Sequence, residues 1–197
     1  MRNILELSTT KALDYFLQPT NYSTLSLPIY FSFDKILKFV KNKVGKKDFS
    51  QCLKDVKKLP SDYENVNYDF LVNKDGRYAY RPLQLANPFL YYFLAREITK
   101  AKNWKFLKQR FADFKKDSIE VVSIPMLKEK KDKSVMATTI KSWWEHIEQR
   151  SIELSLEYKY IFITDITNCY GSIYTHSIAW ALHGIDYAKS HRQEDNL

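Results

Sequence analysis

One stretch, residues 158–184, constrains this chain more than any other: YKYIFITDITNCYGSIYTHSIAWALHG. Residues 158–166 are β-branched and aromatic, with apolar side chains on both alternating faces. That pattern suits a buried central strand better than a half-exposed one. Asp165 closes the run. A carboxylate leaving a core strand costs free energy unless it is paired or bound to a cation. Just ahead of a tight turn, it is placed to hold Mg²⁺ against a polyphosphate. An Asp in that position is also an ordinary turn former, and for a lone residue that is the commoner role. The turn reads Asn168-Cys169-Tyr170-Gly171, and an amphipathic segment follows over 175–182. Thr175 is the expected N-cap of that segment and Gly184 its C′ residue.

The run Phe162-Ile163-Thr164-Asp165-Ile166-Thr167-Asn168-Cys169-Tyr170-Gly171-Ser172-Ile173-Tyr174-Thr175-His176 resembles the first palm motif of reverse transcriptases. That motif joins an apolar strand, an Asp and an aromatic residue five positions on. A small residue, Ser-Ile and a His then open a helix. The wording TDITNCYGSIYTHSIAWALHG is similar to the bacterial defence-associated and abortive-infection group. The resemblance implies that Asp165 binds the catalytic metals, Mg²⁺ or Mn²⁺, helped by the backbone carbonyl of Ile166. It also implies that Tyr170 packs under the incoming sugar, where a ribose 2′-OH would clash.

A second string, DGRYAYRPLQLANP over 75–88, resembles the fingers hairpin of the same family. There the basic residues reach the triphosphate of the incoming dNTP. Arg81 matches the Arg of R-P-L and Arg77 the basic residue after Gly, with Lys74 nearer the hairpin tip. Arg suits such work because its fork grips phosphate oxygens in pairs. Read without the resemblance, Arg77 is equally a surface charge on a hairpin. The polar loop at 125–134 carries Lys128, Lys130, Lys131 and Lys133. In the family this position touches the template, which makes these lysines nucleic-acid-binding candidates.

Net charge is +8 over 197 residues. Residues 35–58 carry nine Lys against two Asp, and residues 100–133 carry eleven Lys or Arg against five acidic residues. Basic blocks interleaved with aromatics suit a nucleic-acid backbone, where each neutralised phosphate releases counterions. Either block alone reads slightly better as a solvated Lys-rich face; the pair of them in one chain with the motif at 162–176 favours nucleic acid. The basic residues do not sit opposite a continuous apolar face, which argues against a membrane surface. No apolar run reaches transmembrane length. Two cysteines, Cys52 and Cys169, give neither a disulfide framework nor zinc spacing, so a cytoplasmic setting is expected.

The fold class expected is α+β: a helical region at 1–66, a fingers-like region with a basic loop at 67–150, and the start of a palm at 151–197. Helices are expected over 10–17, 35–44 with Asp34 as cap, 49–58, 103–114 and 137–148. Asn87-Pro88 reads as an N-cap and N1 pair opening a helix to Ile98. Strands are expected over 68–72 and 77–81, joined by Asn73-Lys74-Asp75-Gly76, and over 119–124. Ile140, Trp143, Trp144 and Ile147 form an apolar stripe; the tryptophans could stack on bases, but their spacing fits buried packing better.

Cys169 and His176 lack an orienting third group for thiol catalysis. Four scattered glycines cannot build a P-loop. A two-metal site needs further carboxylates. The family supplies them on a later x-D-D hairpin, and no Asp-Asp pair occurs here. The chain is therefore expected to be the N-terminal portion of a reverse transcriptase, inactive alone and requiring the remaining polymerase segment or a complementing chain. Its expected partners are an RNA template, including a cognate non-coding RNA, and dNTPs, with protein priming as an alternative. The rival expectation is a non-catalytic RNA-binding protein on a fingers scaffold.

Overall fold

Polar caps and prolines start several helices among the described residues. The computed structural model describes all residues except 1, 24, 26, 29, 55–58, 74, 75, 77, 78, 116–119, 128–134, 168 and 192–197, together with the side chains of 135–137 and 170. Ser8 caps α1 (Thr9–Phe16), its hydroxyl accepting the Lys11 N–H at 3.5 Å. Pro19 does more than end that helix, because it is the first residue of a single turn, α2 (Pro19–Tyr22). Its missing N–H is one that a first helical turn leaves unbonded anyway. Helix α3 spans Asp34–Val44. Asp34 is its first residue rather than its cap, and Phe33 holds the cap position. The carboxylate still faces the positive end of the helix dipole. Gly45 ends the helix at φ 56°, a left-handed conformation that only glycine takes without strain. A further turn, α4 (Phe49–Cys52), covers only the front of the helix expected over 49–58, and 55–58 lie outside the described residues.

Strands β1 (Tyr68–Asn73) and β2 (Tyr80–Leu85) pair antiparallel, with Tyr68 opposite Leu85 and Asn73 opposite Tyr80. The second strand thus begins three residues later than expected and takes in Arg81-Pro82-Leu83. Pro82 does not close the strand; it pairs opposite Leu71. In a two-stranded ribbon both strands are edges, and an edge tolerates the missing N–H. At the tip, the Gly76 N–H donates to the Asn73 side chain at 2.8 Å.

Asn87 caps α5 (Pro88–Ile98) as expected, its side-chain oxygen accepting the Phe89 and Leu90 N–H groups at 3.0 and 3.4 Å. Asn87 also ties the helix to the base of the hairpin. Its own N–H donates to Asn67 Oδ1 at 3.0 Å, and its amide donates to the Val66 carbonyl at 3.3 Å. Helix α6 (Ala101–Phe114) follows, then α7 (Val135–Glu157), which continues nine residues past its expected end. No Gly or Pro interrupts 149–157, so nothing in that segment stops the helix. The chain continues with α8 (Cys169–Ser172), α9 (His176–His183) and α10 (Ile185–Ser190). The class is α+β, with a single two-stranded antiparallel sheet among the described residues.

The chain divides into two compact units, one of residues 1–104 and 123–141, the other of 105–122 and 142–197. The first unit holds most of the buried apolar side chains. Val40 and Val44 of α3 pack with Tyr92 of α5, and Leu17, Cys52, Phe89 and Phe93 close around them. Polar ends are satisfied at depth. The Trp104 indole donates to the Leu7 carbonyl at 2.9 Å, the Tyr91 hydroxyl to the Phe16 carbonyl at 2.7 Å, and the Tyr22 hydroxyl to the Ala86 carbonyl. Burial pushes the Tyr91 phenol up to about 12, with the neighbouring Tyr22 and Tyr15 adding to the effect.

Three expectations fail in the structure. Residues 158–166 form no strand; they run exposed and irregular, with Phe162 at 91% and Ile163 at 88% of full exposure. A central strand needs backbone partners on both sides, and among the described residues none pairs with this run. The described part of 119–124 is likewise not a strand; the nearest pairing is one bridge between Asn3 and Met126. The stripe on α7 is not buried, since Trp144 is 59% exposed and Ile140 is exposed with it. The Trp144 ring instead meets that of Trp143 edge-on, 5.0 Å apart.

Candidate functional site

Asp165 lies at the end of the exposed run, ahead of α8, with its carboxylate open to solvent. One carboxylate oxygen accepts the Ile166 N–H at 2.8 Å, which holds the side chain back over its own backbone. This bond engages the Ile166 N–H and not the carbonyl expected to help Asp165 hold a metal. The turn that follows is helical, and the Ser172 hydroxyl closes it by donating to the Thr167 carbonyl at 3.3 Å. Tyr170 belongs to this turn, but its side chain lies outside the described residues. His176 stacks on Tyr174, with ring centroids 4.7 Å apart at 18°, and Trp180 meets Tyr174 edge-on at 5.7 Å. That stack holds His176 locally at the start of α9, and Cys169 is a free, exposed thiol.

Arg81 sits in β2 opposite Val72 and is itself exposed, on the ribbon face that also carries the half-buried Phe70, Leu83 and Leu85. Lys74 and Arg77, its expected companions, lie outside the described residues, as do Lys128, Lys130, Lys131 and Lys133. The segment leading into that last group is anchored. The Ile4 N–H donates to the Pro125 carbonyl at 3.0 Å, the Leu127 N–H to the Arg2 carbonyl at 2.9 Å, and the Met126 N–H to Thr139 Oγ1 at 3.1 Å.

The basic block over 100–133 is not uniformly available for phosphate. Lys100 pairs with Glu97 at 2.6 Å. Arg110 donates from Nε and Nη2 to the Ala181 carbonyl at 3.1 and 2.6 Å, and its guanidinium lies 4.8 Å from the Phe114 ring centre. Ala181 is in the last turn of α9, whose carbonyls have no helical partner, so Arg110 serves as a C-terminal cap. The sequence carries no signal for this, because the two residues are 71 positions apart.

Two cavities also bear on the chemistry. One, of about 330 Å³, lies between α6 and α9, with Leu107, Phe111, Phe114, Ile178 and Leu182 among its lining. It lacks the converging polar groups that fix a nucleotide. The other, of about 470 Å³, lies between α4 and α5. Its charges are spent on one another or on backbone: Arg96 donates to the Lys47 carbonyl at 2.7 Å and stands 3.8 Å from Asp48.

Among the described residues, no three His, Cys, Asp or Glu side chains gather to hold a metal. The Asp165 carboxylate and the Ile166 carbonyl would offer three oxygens between them, one of which already accepts the Ile166 N–H. That set fits a Mg²⁺ ion completed by waters and substrate phosphates, and falls short of a pair of ions. No helix among the described residues is long and apolar enough to cross a membrane. Searches of protein-family models and of curated proteins find no match to this sequence.

Proposed function

We propose that this chain is the N-terminal part of an RNA-directed DNA polymerase of anti-phage defence, bearing the fingers and the first catalytic strand. In this reading Asp165 and the Ile166 carbonyl are metal donors, and Tyr170 selects the sugar. Arg81, Arg77 and Lys74 meet the triphosphate, while Lys128, Lys130, Lys131 and Lys133 follow the template. The bound Mg²⁺ would neutralise the phosphate charge that develops during nucleotidyl transfer.

The observation that carries the reading is the run at 162–176, with Asp165, Tyr170 and His176 in the order and spacing of the palm motif. The open position of the Asp165 carboxylate supports it, since a metal donor must reach solvent and substrate. The exposed apolar run ahead of Asp165 supports it too. In this reading the run becomes a central strand once neighbouring strands are supplied by other polypeptide, since strands buried on both faces carry near-continuous apolar runs. A non-catalytic RNA-binding protein is the second reading, favoured by the lack of any metal-holding cluster of His, Cys, Asp or Glu among the described residues.

Primer extension on an RNA template tests the choice. The 197-residue chain alone is expected to incorporate no dNTP with Mg²⁺ or Mn²⁺, whereas the same chain joined to an x-D-D palm hairpin extends the primer. Robust incorporation by the isolated chain would sink the single-carboxylate reading. Inactivity of both forms, with RNA bound, would favour the binding protein.

A further inference from the structure

Helix α3 turns one face to the core and a chemically distinct face to water. Leu37, Val40 and Val44 are its buried residues, at the spacing of one helical stripe. The opposite face carries Lys35, Lys38, Phe39, Asn42 and Lys43, all exposed. Phe39 is apolar but lies off that stripe, 55% exposed and pointing away from the core. Lys35 lies one turn before it and Lys43 one turn after, on the same side of the helix. The Lys43 ammonium stands 5.8 Å from the Phe39 ring centre. Lys41 is set apart, on the flank, where it pairs with Asp14 at 3.4 Å. The only carboxylate on the helix is Asp34, at its first residue. Just upstream, Tyr30 and Phe31 are also exposed, their rings 5.0 Å apart.

We infer that this face of α3 is a binding surface for single-stranded nucleic acid, with Lys35, Lys38 and Lys43 on the phosphates and Phe39 as a platform for a base. The lysines cover about 12 Å of helix at 1.5 Å per residue, so one strand can meet all three. Cations spaced around an exposed ring match what a single strand offers, a charged backbone and an apolar base face. An anionic membrane is the poorer match. A helix lying on a membrane inserts its apolar face, and that face of α3 is already occupied by the first unit's core. The inference deepens the nucleic-acid side of the proposed function and rests on that reading only for the choice of polymer.

The test is the binding of the full 197-residue chain to a fluorescein-labelled oligouridylate, followed by anisotropy over a series of salt concentrations. Replacing Lys35, Lys38 and Lys43 together by Gln is expected to flatten the salt slope by about 2, at roughly 0.7 for each phosphate left without its lysine. Phe39→Ala is expected to weaken binding about 5- to 100-fold with the slope unchanged, as loss of one stacked base does. Phe39→Tyr should restore binding. All four side chains are exposed, so thermal melting should not move, and a variant that melts early is replaced by Phe39→Gln or by single Lys→Gln changes. An unchanged slope in the triple variant, or wild-type affinity in Phe39→Ala, overturns the proposal. So does binding to phosphatidylserine vesicles that oligouridylate cannot displace and that the triple variant loses. Failure of the joined chain to extend a primer would count against the polymerase and leave these binding changes in place.

Discussion

Trp104 and Phe162 are both large aromatics, and they have opposite surroundings. In the first unit, Trp104 is 4% exposed, its ring edge-on to Phe16 and its indole N–H bonded to the Leu7 carbonyl. In the second, Phe162 stands almost wholly in solvent within a run of exposed apolar residues. Ile4, Ala12, Tyr15, Tyr22, Leu37, Val40, Val44, Tyr92 and Ala95 share the buried state of Trp104. Among the described residues of the second unit, the one buried hydrophobic is Ala188. The first unit thus carries its own core, built by helices whose apolar stripes are local in sequence. The second carries the motif with the strongest chemical suggestion, on a segment with no strand partner among the described residues.

The sharpest way to break this contrast is to truncate both rings. Trp104→Ala is expected to cost about 3–5 kcal/mol, the usual loss for a buried aromatic, measured by denaturant unfolding. Phe162→Ala should change stability by no more than about 0.5 kcal/mol, as exposed positions do. Equal costs would mean that Phe162 is packed in solution, and the contrast between the units would collapse.

A smaller effect sharpens the description of the first unit. Tyr91→Phe removes one half-buried hydrogen bond and should cost about 1 kcal/mol near neutral pH. The folded phenol titrates at about 12, above its ordinary value of 10.0. The stabilisation from keeping it neutral is therefore complete below pH 10 and is lost as pH rises from there through 12. Melting temperature in the wild type should fall more steeply across that window than in Tyr91→Phe. Parallel profiles would show that another group controls the alkaline limit, and Tyr15 and Tyr22, both raised by burial, are the next to examine.

The same contrast explains what is legible in the sequence. Helices α1, α3, α5 and α6 can be read because their signals are local: Ser8, the Asn87-Pro88 pair, Gly45 and a 3.6-residue apolar period. The span of β2 escapes such a reading because Pro82 looks like a stop unless the strand is known to be an edge. Residues 119–124 and 158–166 suggest strands through β-rich composition, which reports willingness to pair and says nothing of a partner. Periodicity identifies an apolar face on α3 that Leu37, Val40 and Val44 fill, and Phe39, though apolar, lies off it. At the candidate site, Asp165 and Ile166 lie in the run whose composition suggests a strand that the structure does not form, and Arg81 lies in the strand whose span Pro82 conceals. Arg110 cannot be read as the cap of α9, since the two meet only through folding of the second unit.

The most direct measurement is primer extension by the chain joined to an x-D-D palm hairpin, compared between wild type and Asp165→Asn, with RNA affinity measured on the same samples. The substitution keeps the volume of the side chain and removes one metal-binding charge. Extension should fall by at least about 1,000-fold, equivalent to roughly 4 kcal/mol of lost transition-state stabilisation. RNA affinity should stay within about twofold of wild type, because one charge among many contacts is altered. Extension by Asp165→Asn at the wild-type rate would contradict the assignment of Asp165 as a metal donor, and with it the polymerase reading of this chain.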